Sequence, residues 1–357
     1  MPKEADAAVI KTLHGGFIAE GEKVKEFREK VRQFLGTEYV IPMNSCTMAL
    51  HIAYVLAGVK SGTEVITTPL TCIATNTPIL YLGARIVWAD SDPETGMIDP
   101  NGIEKLITNK TKAIVVLHKD GDLAKLDEIL TIAKKHKIKV VEDAAHAFGA
   151  KYKGRMIGTT ADYTCFSFQA IKHITTGDGG VLTCKNEEDF LLAKKLKWLG
   201  IDKEALVGVS NPWEADVDVL GYKGNMNDIS ATIGVEAMKY APEIIGKYHS
   251  NGELYTELLK DVPGVKIIPR EKDCYSTHWT YVLLVQNREK VISALATEGV
   301  EAHPVHLRND VYTVFSEFKC NLPGVDAFAS REISVPCGWW VLKEDIYKIV
   351  DIIKKNV

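Results

Sequence analysis

Lys172 is the only lysine or arginine in the run Cys165-Phe166-Ser167-Phe168-Gln169-Ala170-Ile171-Lys172-His173-Ile174-Thr175-Thr176-Gly177-Asp178-Gly179-Gly180. A lysine gives up its proton easily where burial or a nearby cation disfavours the ammonium, and the neutral amine forms a Schiff base with an aldehyde or ketone. Lys172 is therefore a candidate nucleophile, although this run alone also fits a surface lysine in a loop. Upstream, Val140-Val141-Glu142-Asp143-Ala144-Ala145-His146-Ala147 ends an apolar strand in two acids, small residues and a histidine. Open α/β sheets place ligands at strand carboxyl ends. A carboxylate buried there needs a cationic or hydrogen-bonding partner, so Asp143 could hold a protonated ring nitrogen and His146 could stack on that ring. Acids placed for a helix dipole are the plainer alternative. Near the start, Asn44-Ser45-Cys46-Thr47-Met48-Ala49-Leu50-His51 follows a short apolar run and opens a helix. Its free N–H groups and the Thr47 hydroxyl could hold a phosphate, and Ser45 or Thr47 would equally serve as an ordinary cap.

Other chemistry is poorly represented. There is no GxGxxG fingerprint, P-loop, GxSxG elbow or HExxH motif. His303-Pro304-Val305-His306 spaces two histidines three apart, but the intervening proline argues against a helix presenting both to a metal. No metal is expected, and a substrate contact is the better reading. Seven cysteines without a CxxC pair fit reduced thiols. A formal charge of −4 with interspersed signs leaves no basic stripe for nucleic acid. No apolar run approaches a membrane span, and Met1-Pro2-Lys3-Glu4-Ala5-Asp6 lacks the apolar core of a secretion signal, so a cytoplasmic enzyme with no membrane partner is expected.

The elements that must position these residues are legible in outline. With 357 residues and 46% hydrophobic content, roughly two domains of ~150 residues can fill their cores. Val24, Phe27, Val31 and Phe34 recur on one face of a predicted helix over 22–35, which Gly36 can stop. Apolar runs at 64–68, 85–89, 112–118, 139–142, 163–168 and 180–184 read as buried strands, with helical stretches such as 126–135 between them. Crossovers of this kind predict an α/β domain with a mixed, mostly parallel sheet covered on both faces. After Ala241-Pro242 the pattern becomes helix 243–259, strands 265–268 and 280–285, and helices 289–298 and 344–354. We place a large domain at 1–240 and a smaller α+β domain at 241–357.

A strand-end carboxylate, a loop lysine about thirty residues later and an early phosphate turn together resemble a pyridoxal-phosphate enzyme of the aspartate aminotransferase fold, fold type I. More specifically, the chain resembles the DegT/DnrJ/EryC1/StrS sugar aminotransferases, which carry a small-Ser/Gly-Thr phosphate turn, a Glu-Asp-Ala-Ala-His segment and a Ser-Phe-His-x-x-Lys run ending in Gly-Glu-Gly-Gly. The resemblance begins at Gly16-Phe17-Ile18-Ala19-Glu20-Gly21 and continues through Gly221-Tyr222-Lys223-Gly224-Asn225-Met226. It implies pyridoxal 5'-phosphate as cofactor, with Lys172 in Schiff-base linkage, Asp143 paired with the pyridine nitrogen and His146 beside the ring. Ser45, Cys46, Thr47 and Ser167 would lie at the phosphate. Asn225 would reach the phosphate of the neighbouring subunit's cofactor, which implies a homodimer with shared active sites. Gln169 stands where many members have histidine, and Cys72 occupies the ring-stacking position that is often aromatic. The charged segment Lys119-Asp120-Gly121-Asp122-Leu123-Ala124-Lys125 replaces a Tyr-Gly-x-Pro turn and could alter the substrate mouth.

The implied reaction moves an amino group from an amino acid, L-glutamate by expectation, to a nucleotide-linked keto sugar. The C4 ketone of a 4-keto-6-deoxyhexose is preferred on family grounds, for cell-surface glycan synthesis. Trp213, His306 and Arg308 are candidate substrate contacts, and Gly200 to Leu220, with Lys203 and Asp216, could form a loop at the partner's site. The alternatives are amination at C3, a related dehydratase with histidine in place of the lysine, and a non-catalytic binding protein. Lys172 argues against the dehydratase, although His173 is only one residue away.

Overall fold

The computed structural model describes residues 2–206, 211 and 216–357. After α1 (Glu4–Leu13) and α2 (Glu22–Leu35), strand β1 (Val40–Met43) leads into α3 (Cys46–Leu56). There follow β2 (Glu64–Thr67), α4 (Ile73–Tyr81), β3 (Arg85–Trp88), α5 (Pro100–Ile103), β4 (Thr111–Leu117), α6 (Leu126–His136) and β5 (Lys139–Asp143). A short hairpin, β6 (Lys151–Tyr152) with β7 (Arg155–Met156), precedes β8 (Tyr163–Ser167), β9 (Gly180–Cys184) and α7 (Glu187–Leu196). The chain continues through α8 (Asp228–Met238), α9 (Ala241–Leu259), β10 (Val265–Ile267), β11 (Tyr281–Val285) and α10 (Arg288–Thr297), and closes with α11 (Pro323–Ala329), β12 (Glu332–Val335) and α12 (Lys343–Asn356). Among the described residues no helix is long and apolar enough to cross a membrane.

Seven strands form the main sheet in the order β1-β9-β8-β5-β4-β2-β3. Only β9 runs against the others, so the sheet is mixed and mostly parallel as expected. Its strands are buried on both faces, and successive side chains alternate between two cores. Val140, Val116, Phe166 and Val181 join α2, α6 and α8 on one face, while Val141, Val115, Cys165 and Leu182 join α3 and α7 on the other. Pro42 fits in β1 because that strand is the sheet's edge.

A three-stranded antiparallel sheet, β10-β11-β12, packs one face against α9, α10 and α12 through Tyr281, Leu283, Ile333, Tyr255, Leu295 and Ile349. Its other face contributes Val282 and Leu284 to the large sheet's core, where Phe315, Phe318 and Phe328 also pack. Helix α2 has the predicted limits, but Gly21 at its N-cap has no side chain to offer. Asp228, at the start of α8, supplies the cap by accepting hydrogen bonds from the N–H groups of Gly21, Lys23 and Val24 at 2.9, 3.3 and 3.0 Å.

Candidate active site

The sequence candidates converge at the carboxyl ends of the parallel strands. Strand β1 stops at Met43, and Ser45 caps α3 through its Oγ, which accepts from Met48 N–H at 3.1 Å. The N–H groups of Cys46 and Thr47 in this first turn have no carbonyl four residues back within the helix, which leaves them for an anion. Strand β9 abuts the turn at Gly180, where a Cβ would lie 2.4 Å from the Cys46 nitrogen and the Ser45 carbonyl carbon. Glycine is required here for close approach. Ser167 pairs with Gly180 across the β8–β9 ladder and is therefore drawn to the same end of the sheet. Its Oγ lies 3.4 Å from the backbone nitrogen of Gln169, whose own side chain is exposed and accepts from Ile171 N–H at 3.0 Å. Asn225 bridges Met43, and its Oδ1 accepts from Lys223 Nζ at 3.0 Å.

Both acids at the end of β5 are buried, on opposite faces of the sheet. Glu142 turns to His118 Nε2 at 3.0 Å and to the Thr164 hydroxyl. Asp143 turns toward α4, accepting from Thr75 Oγ1 at 2.6 Å and from Ala145 N–H at 3.1 Å. Burial holds the Asp143 carboxyl above its ordinary range despite these hydrogen bonds and the Lys172 charge. No ion pair reaches Asp143 among the described residues, so it can receive a cation.

Lys172 is partly buried in the loop after β8, with Nζ 3.8 Å from the centroid of the Trp279 ring. Burial lowers its ammonium to about 8, against the opposing pull of Cys46, Asp143, Cys72 and Asp120. Cys46 lies in the first turn of α3, and Cys72 is the residue preceding α4. His173 is turned elsewhere: its Nε2 meets the Thr277 carbonyl at 3.0 Å, and burial lowers it to about 3. The amine at 172 thus lies over Trp279, while its neighbour anchors the loop.

His146 stacks on Trp279 with centroids 3.9 Å apart and planes 20° apart, and on His306 at 5.7 Å. Its Nδ1 accepts from Asp120 N–H at 3.3 Å, which places the proton of the neutral ring on Nε2. Burial, followed by Lys172 and His306, holds it well below the ordinary histidine range, so it presents a flat uncharged face. His306 is likewise lowered to about 4, chiefly by burial, and its Nε2 has no hydrogen-bond partner.

Arg308 is committed to Asp310, at 2.7 and 2.6 Å, and to Asp326. Trp213 lies outside the described residues. Lys203 covers the Trp198 ring at 3.4 Å, and Asp216 is exposed. The charged segment after β4 is folded inward: Lys119 meets Asp120 and Glu332 at 2.9 and 2.6 Å, and Asp122 meets Arg270 at 2.7 Å. These charges pair with one another in the interior, and Asp120 lies against His146, 3.7 Å from its Nδ1. Sequence reasoning missed Trp279 and Thr75. The first had a signal, an aromatic immediately before a predicted strand; the second, a threonine inside a helix, had none.

Pyridoxal 5'-phosphate fits this constellation, because a buried carboxyl lacking a cation, a flat neutral imidazole, a weakly basic amine and a helix N-terminus face its four binding demands. Comparison with known proteins agrees. The DegT/DnrJ/EryC1/StrS aminotransferase family model matches residues 1–354. UDP-4-amino-4-deoxy-L-arabinose–oxoglutarate aminotransferase of Shewanella sediminis is 32% identical, over 98% of this chain and 95% of its own. The crystal structure of the sugar aminotransferase CalS13 from Micromonospora echinospora superposes with a TM-score of 0.95 at 31% identity, covering 100% of this chain and 98% of that one. The PLP-form of Spr1654 from Streptococcus pneumoniae gives 0.90 at 26%, covering 99% and 96%. Sequence and fold show that the chain belongs to the DegT/DnrJ/EryC1/StrS aminotransferase family, and it is a pyridoxal-phosphate-dependent sugar aminotransferase.

Proposed function

We propose that the enzyme transfers the amino group of L-glutamate to the C4 ketone of a nucleotide-linked 4-keto-6-deoxyhexose, as a cytoplasmic homodimer supplying glycan synthesis. The observation that carries the catalytic part is the partly buried Lys172 amine, 3.8 Å over the Trp279 ring on which His146 stacks, with Asp143 buried at the end of β5. The choice of C4 and of glutamate rests on the Shewanella relative, whose name places an amino group at C4 and pairs the sugar with oxoglutarate. We divide the chain into a cofactor-binding large domain, 1–240, and a small domain, 241–357.

The coenzyme, when bound, supplies an electron-withdrawing ring that stabilises negative charge on the carbon next to the transferred nitrogen. Asp143 keeps the ring nitrogen protonated by ion pairing in a site too dry for an isolated charge. His146 would lie beside the ring as a neutral imidazole. Ser45, Cys46, Thr47 and Ser167 would hold the phosphate, and Asn225 would serve that of the neighbouring subunit. Lys172 would be the general base that takes the proton from the α-carbon of the amino donor. A general base is most effective with a pKa near working pH, which the lysine's burial provides. Since one amine is stored between donor and acceptor, the kinetics are ping-pong.

The test loads the enzyme with glutamate and follows recovery of the starting coenzyme spectrum with a panel of 3-keto and 4-keto nucleotide sugars. Turnover confined to 4-keto sugars, with the amine located at C4 by NMR, supports the assignment. Recovery with 3-keto sugars alone overturns it.

A further inference from the structure

We propose that His249, Glu253 and His278 form a binding site for a divalent transition metal, zinc being the ion they suit, which clips α9 to the loop that carries Trp279. The potential ligand atoms of the three side chains lie within 4.8 Å of one another. His249 and Glu253 are one helical turn apart on α9, and His278 approaches from the segment before β11.

Three independent features make this a built arrangement. First, His249 Nδ1 donates to the Ser276 carbonyl at 2.9 Å, which fixes the tautomer and leaves the Nε2 lone pair free. A ligand histidine is commonly oriented by a second-shell carbonyl in this way. Second, His278 is 1% exposed, and its Nε2 has no hydrogen-bond partner although it stands only 3.5 Å from Glu253 Oε1. A buried orphan nitrogen of this kind calls for a ligand. Third, α9 is notched for this ring: a Cβ at Gly252 would lie 2.2 Å from His278 Cδ2 and 2.7 Å from its Nε2.

The charges suit a dication. Asp122 lies 3.9 Å from His278 Nδ1 but is engaged by Arg270 at 2.7 and 3.3 Å, so that pair is neutral and Glu253 supplies the site's own negative charge. Two imidazoles and a carboxylate are a common zinc set, and bonds of ~2.0–2.1 Å require them to close in by about 1.5 Å. Glu253, the exposed member, has the freedom to do so. His249 and Glu253 also line an open cleft along α9, where Glu257 stands among Lys247, Lys260 and Lys343, so water can reach the site.

The loop held by this clip bears on the catalytic site. Ser276 is tied to His249, Thr277 to His173, and Trp279 through Nε1 to the Ile171 carbonyl at 2.8 Å, next to Lys172. The ion would have a positioning role.

The experiment uses the full chain loaded with coenzyme and stripped by chelator. Zinc chloride is added with calorimetric readout, and cobalt(II) chloride with visible absorption. The expected result is one tight equivalent per chain, tetrahedral cobalt bands and a raised melting temperature. Binding should be lost in His249→Ala and at least tenfold weaker in Glu253→Gln, both of which spare the buried His278. Absent or non-stoichiometric binding, or binding unchanged in His249→Ala, overturns the assignment. Amination by the stripped wild type is followed in parallel, so a failed metal site is distinguishable from a failed aminotransferase reading.

Discussion

The pH dependence of cofactor capture follows from the burial of one amine. Lys172 sits against Trp279 in a pocket that lowers its ammonium to about 8. Only the neutral amine attacks the coenzyme aldehyde. With that value the reactive fraction is ~9% at pH 7 and ~91% at pH 9, so capture should rise about tenfold and level off with a midpoint near 8. A lysine in open water, near 10.4, would instead rise about a hundredfold over the same interval and still be climbing. The assay mixes apo-enzyme with pyridoxal phosphate and follows the yellow absorbance in a stopped flow. Rates are divided by those of Nα-acetyl-lysine in the same buffers, the latter expressed per neutral amine at each pH, to cancel the titration of the coenzyme itself. The Asp143 carboxylate is among the groups that favour the ammonium, so Asp143→Asn should move the midpoint below 8. A capture rate still rising steeply above pH 9, or a midpoint that moves upward in Asp143→Asn, would refute the burial argument.

Three further outcomes are expected. Asp143→Asn should still bind coenzyme but slow the half-reaction with glutamate by roughly 10²–10³-fold in single-turnover measurements, the scale for loss of one preorganised charge. In Gly180→Ala the added methyl meets the backbone of Ser45 and Cys46 at 2.4 Å. The phosphate turn must shift, so coenzyme affinity measured by fluorescence quenching should fall and stability should drop by about 1–3 kcal/mol; unchanged values would mean that the turn is not fixed by β9. Asp228→Ala should destabilise the fold by about 1–2 kcal/mol in urea denaturation, since three N–H groups of α2 and its entry segment lose their acceptor. An unaltered midpoint would show that water replaces the cap at no cost.

Much of the frame could be read from local pattern. The 3.6-residue spacing of Val24, Phe27 and Val31 gave α2 its limits, and continuously apolar runs gave the buried strands. Other elements carry no such pattern. Helix α4 has little polarity contrast and a proline at position 78, and β12 is four residues long and begins with Glu332, which is buried only because Lys119 meets it. Periodicity reports a contrast in polarity between a buried and a solvent face, so a helix as uniform as α4, or a short strand that opens on a buried charge, gives no signal.

The chemistry divides along the same line. Residue types and order alone determined that an amine, a carboxylate, an imidazole and a helix N-terminus would be available, because strand ends and the turns that follow them are local matters. Whether that amine is reactive was decided by tertiary structure, since it depends on Trp279, more than a hundred residues away, packing over Lys172 and against His146. The different surroundings of Glu142 and Asp143 were also decided there. Alternation along β5 sends the two to opposite faces, but only the packing of Thr75 on one side and His118 on the other makes each face what it is. A sequence carries the identity of each charge, and the dielectric and partners that set its pKa come from chain segments that meet only when the protein is folded.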